Sequence, residues 1–174
     1  MIDFRADIER QLEPFAAHIA GNPLASLLAL KGRPGTVERA GSAPFSGADG
    51  FALDKAFGRL GWGFGSQDTR RWAGLLLATA DSPTLPAATL RLICEIIDPL
   101  AIVALDEEAR AALIDAFSSA ESGFLAEFTP GAETQVLGRQ FISVTGFEDA
   151  LADEDAKQKV WAQLKRCRPP QTGA

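Results

Sequence analysis

The sequence predicts an α/β fold: a three-layer αβα sandwich around a central four-stranded parallel sheet. Two observations predict it. Short apolar runs, "LASLLAL" (24–30), "AGLLLAT" (73–79), "LAIVAL" (100–105) and one within "QVLGRQFISV", alternate with stretches of helical spacing. Strands alternating with helices imply parallel pairing through helical crossovers. The runs are apolar at successive positions rather than at every second one, the pattern of strands covered on both faces.

The elements follow in order. Ile2, Phe4, Ile8, Leu12, Phe15, Ala16 and Ile19 form one apolar stripe, predicting a helix over about 2–20 that ends at "GNP". "LASLLAL" reads as the first strand, with a continued helix as the competing reading. Residues 31–50, rich in Gly, Pro, Ser and Ala, read as a long loop. A helix from about 50 to 60 stops at Gly61. The second strand leads through "ADSPTLPAA", where Pro86 suits a first helical position, into a helix reaching about Ile97. "LAIVAL" is the clearest strand. "DEEARAALIDAF" follows as a helix with Asp106 as N-cap and acids in its first turn. Residues 119–134 read as irregular, "QVLGRQFISV" as the last strand and 154–166 as the last helix.

A chain of 174 residues can bury a substantial core, so one domain over 1–174 is expected, with a disordered or extended tail over about 167–174. The formal charge of −6 argues against general nucleic-acid binding, which needs clustered Lys and Arg. Two cysteines cannot build a disulfide framework. Cys94, in an apolar helix, is expected buried and Cys167, in the tail, exposed, a usage that suits a reducing cytoplasm. "MIDFRADIER" is charged from its third residue and shows no signal peptide. No apolar run approaches the roughly 20 residues that span a bilayer, so no membrane partner is expected.

The second half carries a resemblance. "LRLICEIIDPLAIVALDEEARAALIDAF" resembles the segment of iron–sulfur-type uracil-DNA glycosylases in which a helix leads through "R-P-x-x-I-V-A-L-G" into a second helix. "FISVTGFEDALADEDAKQKVWAQLK" (141–165) is similar to that family's closing "V-I-x-T-Y-H-P-S-x-L-L…K…W", with Lys157 and Trp161 on its Lys and Trp. "PGTVERAGSAPFSGADGFALD" resembles "P-G-x-x-E-D…G-x-P-F-x-G-x-A-G-x-L-L-D", with one extra residue before Pro44-Phe45. The likeness spans roughly residues 25–165 and implies a uracil-DNA glycosylase-like fold.

What the family needs chemically is mostly replaced. Its first-loop carboxylate ("G-E-A-P-G") falls in "KGRPG", on Gly32 and Arg33. Its uracil-reading Asn falls near Leu76. Its histidine, which would stabilise charge developing on the uracil oxygen, falls on Gly146, and the following Pro-Ser on Phe147-Glu148. The four cluster cysteines have no counterparts, so neither an iron–sulfur cluster nor another cofactor is expected. Phe45 alone keeps a matching site residue, a base-stacking ring in the family. Glu148, Asp149, Asp153, Glu154 and Asp155 gather where a phosphate backbone would approach, so DNA binding is expected to be weak or absent.

The resemblance therefore implies a fold that has lost uracil excision and keeps a small-ligand pocket. The candidate lining is Gly32, Arg33, Pro34, Gly35, Pro44, Phe45, Leu76, Thr145, Gly146 and Phe147. Two alternatives stay open. A diverged glycosylase would use Asp81 or Glu38 to activate water. A protein-interaction module would use Trp62, Phe64, Arg70, Arg71 and Trp72, the chain's one aromatic–basic interleaving. Metal binding by Glu148, Asp149 and Asp153 matches no calcium-loop spacing, and no metal is expected. His18 lies outside every matched motif and is expected partly exposed on the first helix.

Overall fold

The four apolar runs become the inner strands of the sheet. In the structure, a computed structural model that describes residues 3–62, 71–118 and 128–170, they are β2 (Leu27–Lys31), β3 (Ala73–Leu76), β4 (Ala101–Ala104) and β6 (Arg139–Ser143). They pair in parallel in the order β3-β2-β4-β6, with Ala29 opposite both Gly74 and Val103, and Val103 opposite Ile142.

The sheet is wider than expected. Among the described residues it has six strands and is mixed, because β1 (Ile19–Gly21) adds antiparallel to β3 and β5 (Glu133–Val136) adds antiparallel to β6. Both additions correct the sequence reading. The first helix, α1, covers only Phe4–Leu12, with Asp3 as N-cap accepting from the amides of Arg5 and Ala6. Pro14 then opens a 3-10 turn over Glu13–His18, and the chain extends into β1. The apolar stripe misled because Phe15 and Ile19 still face the core after the helix ends. At the other edge, "QVLGRQFISV" is a hairpin and not one strand. Leu137 (φ 49) and Gly138 (φ 78) both take left-handed backbone, the geometry of a tight two-residue β-turn.

Helices cover both faces. Alternate residues of β2 show it: Leu28 and Leu30 join a core cluster with α1, α4 (Ala87–Ile97) and α5 (Glu107–Phe117), while Leu27 and Ala29 join another. That second cluster holds α3 (Ala48–Arg59), α6 (Phe147–Ala150) and α7 (Glu154–Leu164). Phe141 anchors the first cluster edge-on to Phe117, with ring centroids 5.0 Å apart. In the second, Phe45 packs edge-on to Trp72 at 5.2 Å. The same Phe45 ring lies against Gly74, where an added Cβ would come within 2.6 Å of it. That close approach is why a glycine interrupts an otherwise apolar strand.

Cys94 is buried, as its apolar helix implies. Cys167 is buried too, against expectation: its carbonyl accepts from Trp62 Nε1 at 2.7 Å, which ties the chain end to the second core cluster. Residues 171–174 of the expected tail lie outside the described residues. His18 is also buried rather than partly exposed, with Nδ1 2.8 Å from the Leu76 carbonyl oxygen.

Candidate functional site

The inner order β3-β2-β4-β6 has a switch point. The chain leaves β2 for β3 on one side, then crosses back to place β4 on the other. Loops after β2 and β4 diverge there, and ligands of open α/β sheets bind in the crevice this leaves beyond the carboxyl ends of the strands. A cleft of about 580 Å³ lies at that place, between the loop from β2 to α2 (Thr36–Arg39), the start of α5 and the β6–α6 loop. The short helix α2 (Thr36–Arg39) lies within the stretch expected to be a plain loop.

Two interactions shape the cleft wall. Asp106 caps α5 as expected, accepting from Ala109 N at 2.8 Å. It also accepts from Gly32 N at 2.9 Å and Arg33 N at 3.2 Å, so one carboxylate starts a helix and pins the neighbouring loop. Opposite, Phe147 N donates to the Leu105 carbonyl at 2.8 Å, holding α6 against the end of β4. Gly146, at φ 54, makes the left-handed turn between β6 and α6.

The centre of the site is Lys31, the last residue of β2. Strand alternation aims it at the same face as Leu27 and Ala29, where α2 and the first turn of α3 lie. Its ammonium donates to Asp49 Oδ2 at 2.7 Å and Glu38 Oε1 at 3.2 Å, and pairs with Glu148 Oε2 at 2.6 Å. Glu38 and Asp49 are as buried as the lysine, whereas the Glu148 side chain is 39 % exposed. Glu38 Oε1 also accepts from Phe45 N at 3.0 Å, while its Oε2 is buried with no hydrogen-bond partner. Burial alone would lower the Lys31 pKa. Hydrogen bonds to Asp49 and Glu148 and the charges of Asp49 and Glu38 outweigh it, so the net direction is up and the ammonium is firmly charged. Ligand oxygens of the three carboxylates lie within 4.8 Å of one another, and the ammonium makes the contacts a metal ion would make among them.

The structure brings together half of the expected lining. Arg33, Pro34, Gly35, Gly146 and Phe147 line the cleft, and Gly32 is held at its edge by Asp106. Four expected residues stand elsewhere. Phe45 and Leu76 are fully buried in the core, Pro44 is buried beside Phe45, and Thr145 is exposed with its hydroxyl accepting from Gln163. Phe45 is thus a packed core ring, not an open stacking platform. Arg33 points outward and pairs with Glu108. Asp81 is exposed and does not line the cleft, whereas Glu38 is buried beneath Lys31.

Trp62 and Trp72 are buried in the second core cluster, with Trp72 Nε1 donating to Asp54 at 2.7 Å. Arg71 is exposed, and Phe64 and Arg70 lie outside the described residues. Among the described residues the acids that converge are Glu148, Glu38 and Asp49, rather than the Glu148, Asp149 and Asp153 whose spacing matched no calcium loop. Asp153 instead caps α7 through Ala156 N at 2.7 Å.

Sequence reasoning missed Lys31, Asp49 and Glu148 as a unit. A signal was present: a lysine closes a fully apolar strand run just before "GRPG", and a lysine so placed needs buried partners. No helix among the described residues is long and apolar enough to cross a membrane. No protein-family model and no curated protein sequence matches the chain.

Proposed function

We propose that the protein has a uracil-DNA glycosylase-type fold that does not excise uracil, and that the switch-point cleft binds a small ligand. The observation that carries this is the Lys31 cluster. In the resemblance, Lys31 stands on the glycine of "G-E-A-P-G" and Asp49 on the alanine of "G-x-A-G". Two small residues of the pattern have become a buried ion pair in the cleft, 2.7 Å apart. Neither the first-loop carboxylate nor the "H-P-S" histidine has a replacement of like chemistry, since Gly32, Arg33 and Gly146 occupy those places.

The charge of the cleft supports the same reading. Its lining holds Lys31, Arg33 and Arg39 against Asp49, Asp106, Glu107, Glu108, Glu148 and Asp149. An acid-dominated lining repels a polyphosphate backbone. Its size falls within the roughly 300–1,000 Å³ range of small-molecule sites. The reading carries no iron–sulfur cluster, because a cluster takes four thiolates and this chain has two, packed on opposite faces of the sheet. Two unpaired thiols also support a reducing cytoplasm as its compartment.

Incubation with uracil-containing single- and double-stranded DNA tests the reading. The expected outcome is no base release above background and no binding with a steep salt dependence. Release that disappears in Glu38→Gln or Asp81→Asn would establish the active, diverged glycosylase instead.

A further inference from the structure

Lys31 offers three N–H donors and has three carboxylate partners, but the partners are not equivalent. Asp49 and Glu38 are sealed beneath it, their side chains 3 % and 1 % exposed. Glu148 comes from the opposite wall, on the four-residue helix α6, and reaches across the cleft to the ammonium. Its carboxylate occupies the space that a Cβ on Gly35 would fill. Gly35 has φ −73, a backbone that any residue adopts, so the close approach of Glu148 and not the conformation requires glycine there. The two walls are thus latched by a contact that solvent can reach.

We propose that Glu148 is a built-in plug on Lys31, and that a small neutral molecule binds the cleft by placing a carbonyl oxygen on the ammonium in its stead. Charge selects the ligand class. Lys31 with Glu38, Asp49 and Glu148 sums to a formal −2, and withdrawing Glu148 leaves −1. A ligand carboxylate or phosphate would restore the excess negative charge, whereas a carbonyl oxygen accepts the same hydrogen bond without it. A cationic ligand would find the ammonium itself facing it. The inference rests on the cleft being the ligand site.

Two variants open the plug by different routes. Glu148→Ala removes the carboxylate. Gly35→Ala leaves the charge in place and displaces it sterically. Reductive methylation by formaldehyde and a borane, read by peptide mass spectrometry, measures access to the Lys31 amine against exposed Lys55. Both variants should raise Lys31 labelling about tenfold over wild type, the factor expected when a contact closed nine-tenths of the time is removed. Thermal melts check that each variant is folded.

The ligand arm uses 2-pyrrolidinone, acetate and methylammonium as probes, followed through the amide resonances of Thr36 and Gly146, which line the cleft. 2-Pyrrolidinone should shift them in both variants at about one-tenth of the wild-type concentration. Acetate and methylammonium should not. Unchanged Lys31 labelling in both folded variants overturns the plug whatever the probes do. Stronger response to acetate or methylammonium keeps the cleft as a site and overturns the ligand class. No response to any probe, with labelling raised, overturns the binding site itself.

Discussion

A lysine at the end of a buried strand costs stability unless its ammonium is fully paired. Lys31 is paired, and removing it strands Glu38 and Asp49 in the core. Lys31→Met should therefore destabilise by about 3–5 kcal/mol, read as a lower urea midpoint at unchanged slope. The triple variant Lys31→Met, Glu38→Gln, Asp49→Asn should recover part of that loss, because the uncompensated charges go with the lysine. A loss below about 1 kcal/mol in the single variant would mean the pair is not buried as described. The pH dependence has a definite sign. The folded-state pKa of Lys31 lies above the ordinary 10.5, so its contribution is complete at neutral pH and is lost as pH rises through the folded value. The stability gap between wild type and Lys31→Met should close in strongly alkaline solution, where the ammonium loses its proton. Lysine identity and its place after an apolar run are legible in the sequence. Its partners are not, since Glu38, Asp49 and Glu148 lie 7, 18 and 117 positions away on three different elements.

At the scale of elements, Asp106 joins helix, loop and cleft. Its N-cap role follows from local sequence alone: a short acceptor before "EEARAALIDAF" satisfies the first free amides of the helix. Its second role, holding the Gly32 and Arg33 amides, depends on β2 and β4 being neighbours. Asp106→Ala should cost about 2–4 kcal/mol, more than the roughly 1 kcal/mol of an ordinary cap, because the β2–α2 loop loses its anchor too. Hydrogen exchange should show it, with faster exchange at Gly32 and Arg33 as well as at Ala109. Exchange altered at Ala109 alone would reduce Asp106 to a simple cap. Two of the elements misread from sequence failed for related reasons. Apolar periodicity reports which face is covered and not what backbone covers it, so Phe15 and Ile19 passed for helix. Leu137 at φ 49 hid the hairpin, because leucine is not a residue that announces left-handed backbone.

Across the whole molecule, the sheet separates two core clusters that each contain one cysteine, Cys94 on one face and Cys167 on the other. Burial pushes both thiols up to about 12, so neither reacts as a thiolate near neutral pH. Thiol labelling thus reads the opening of each face separately. One cooperative domain predicts that both cysteines are silent in the native protein and become labelled at the same denaturant midpoint. A lower midpoint at Cys167 would show that the chain end and the α3–α6–α7 face open first.

The sequence by itself determined the α/β class, the four inner strands, the N-cap at Asp106, and a strand-end loop at Gly146 without a histidine. These depend on neighbours within one helical turn or one strand. Only the tertiary structure decided the two antiparallel edge strands, the burial of His18, Phe45 and Cys167, and the convergence on Lys31. Those depend on strand order, which sets side by side the loops that follow Lys31, Leu105 and Ser143 and lets Glu148 reach the lysine across the gap between them.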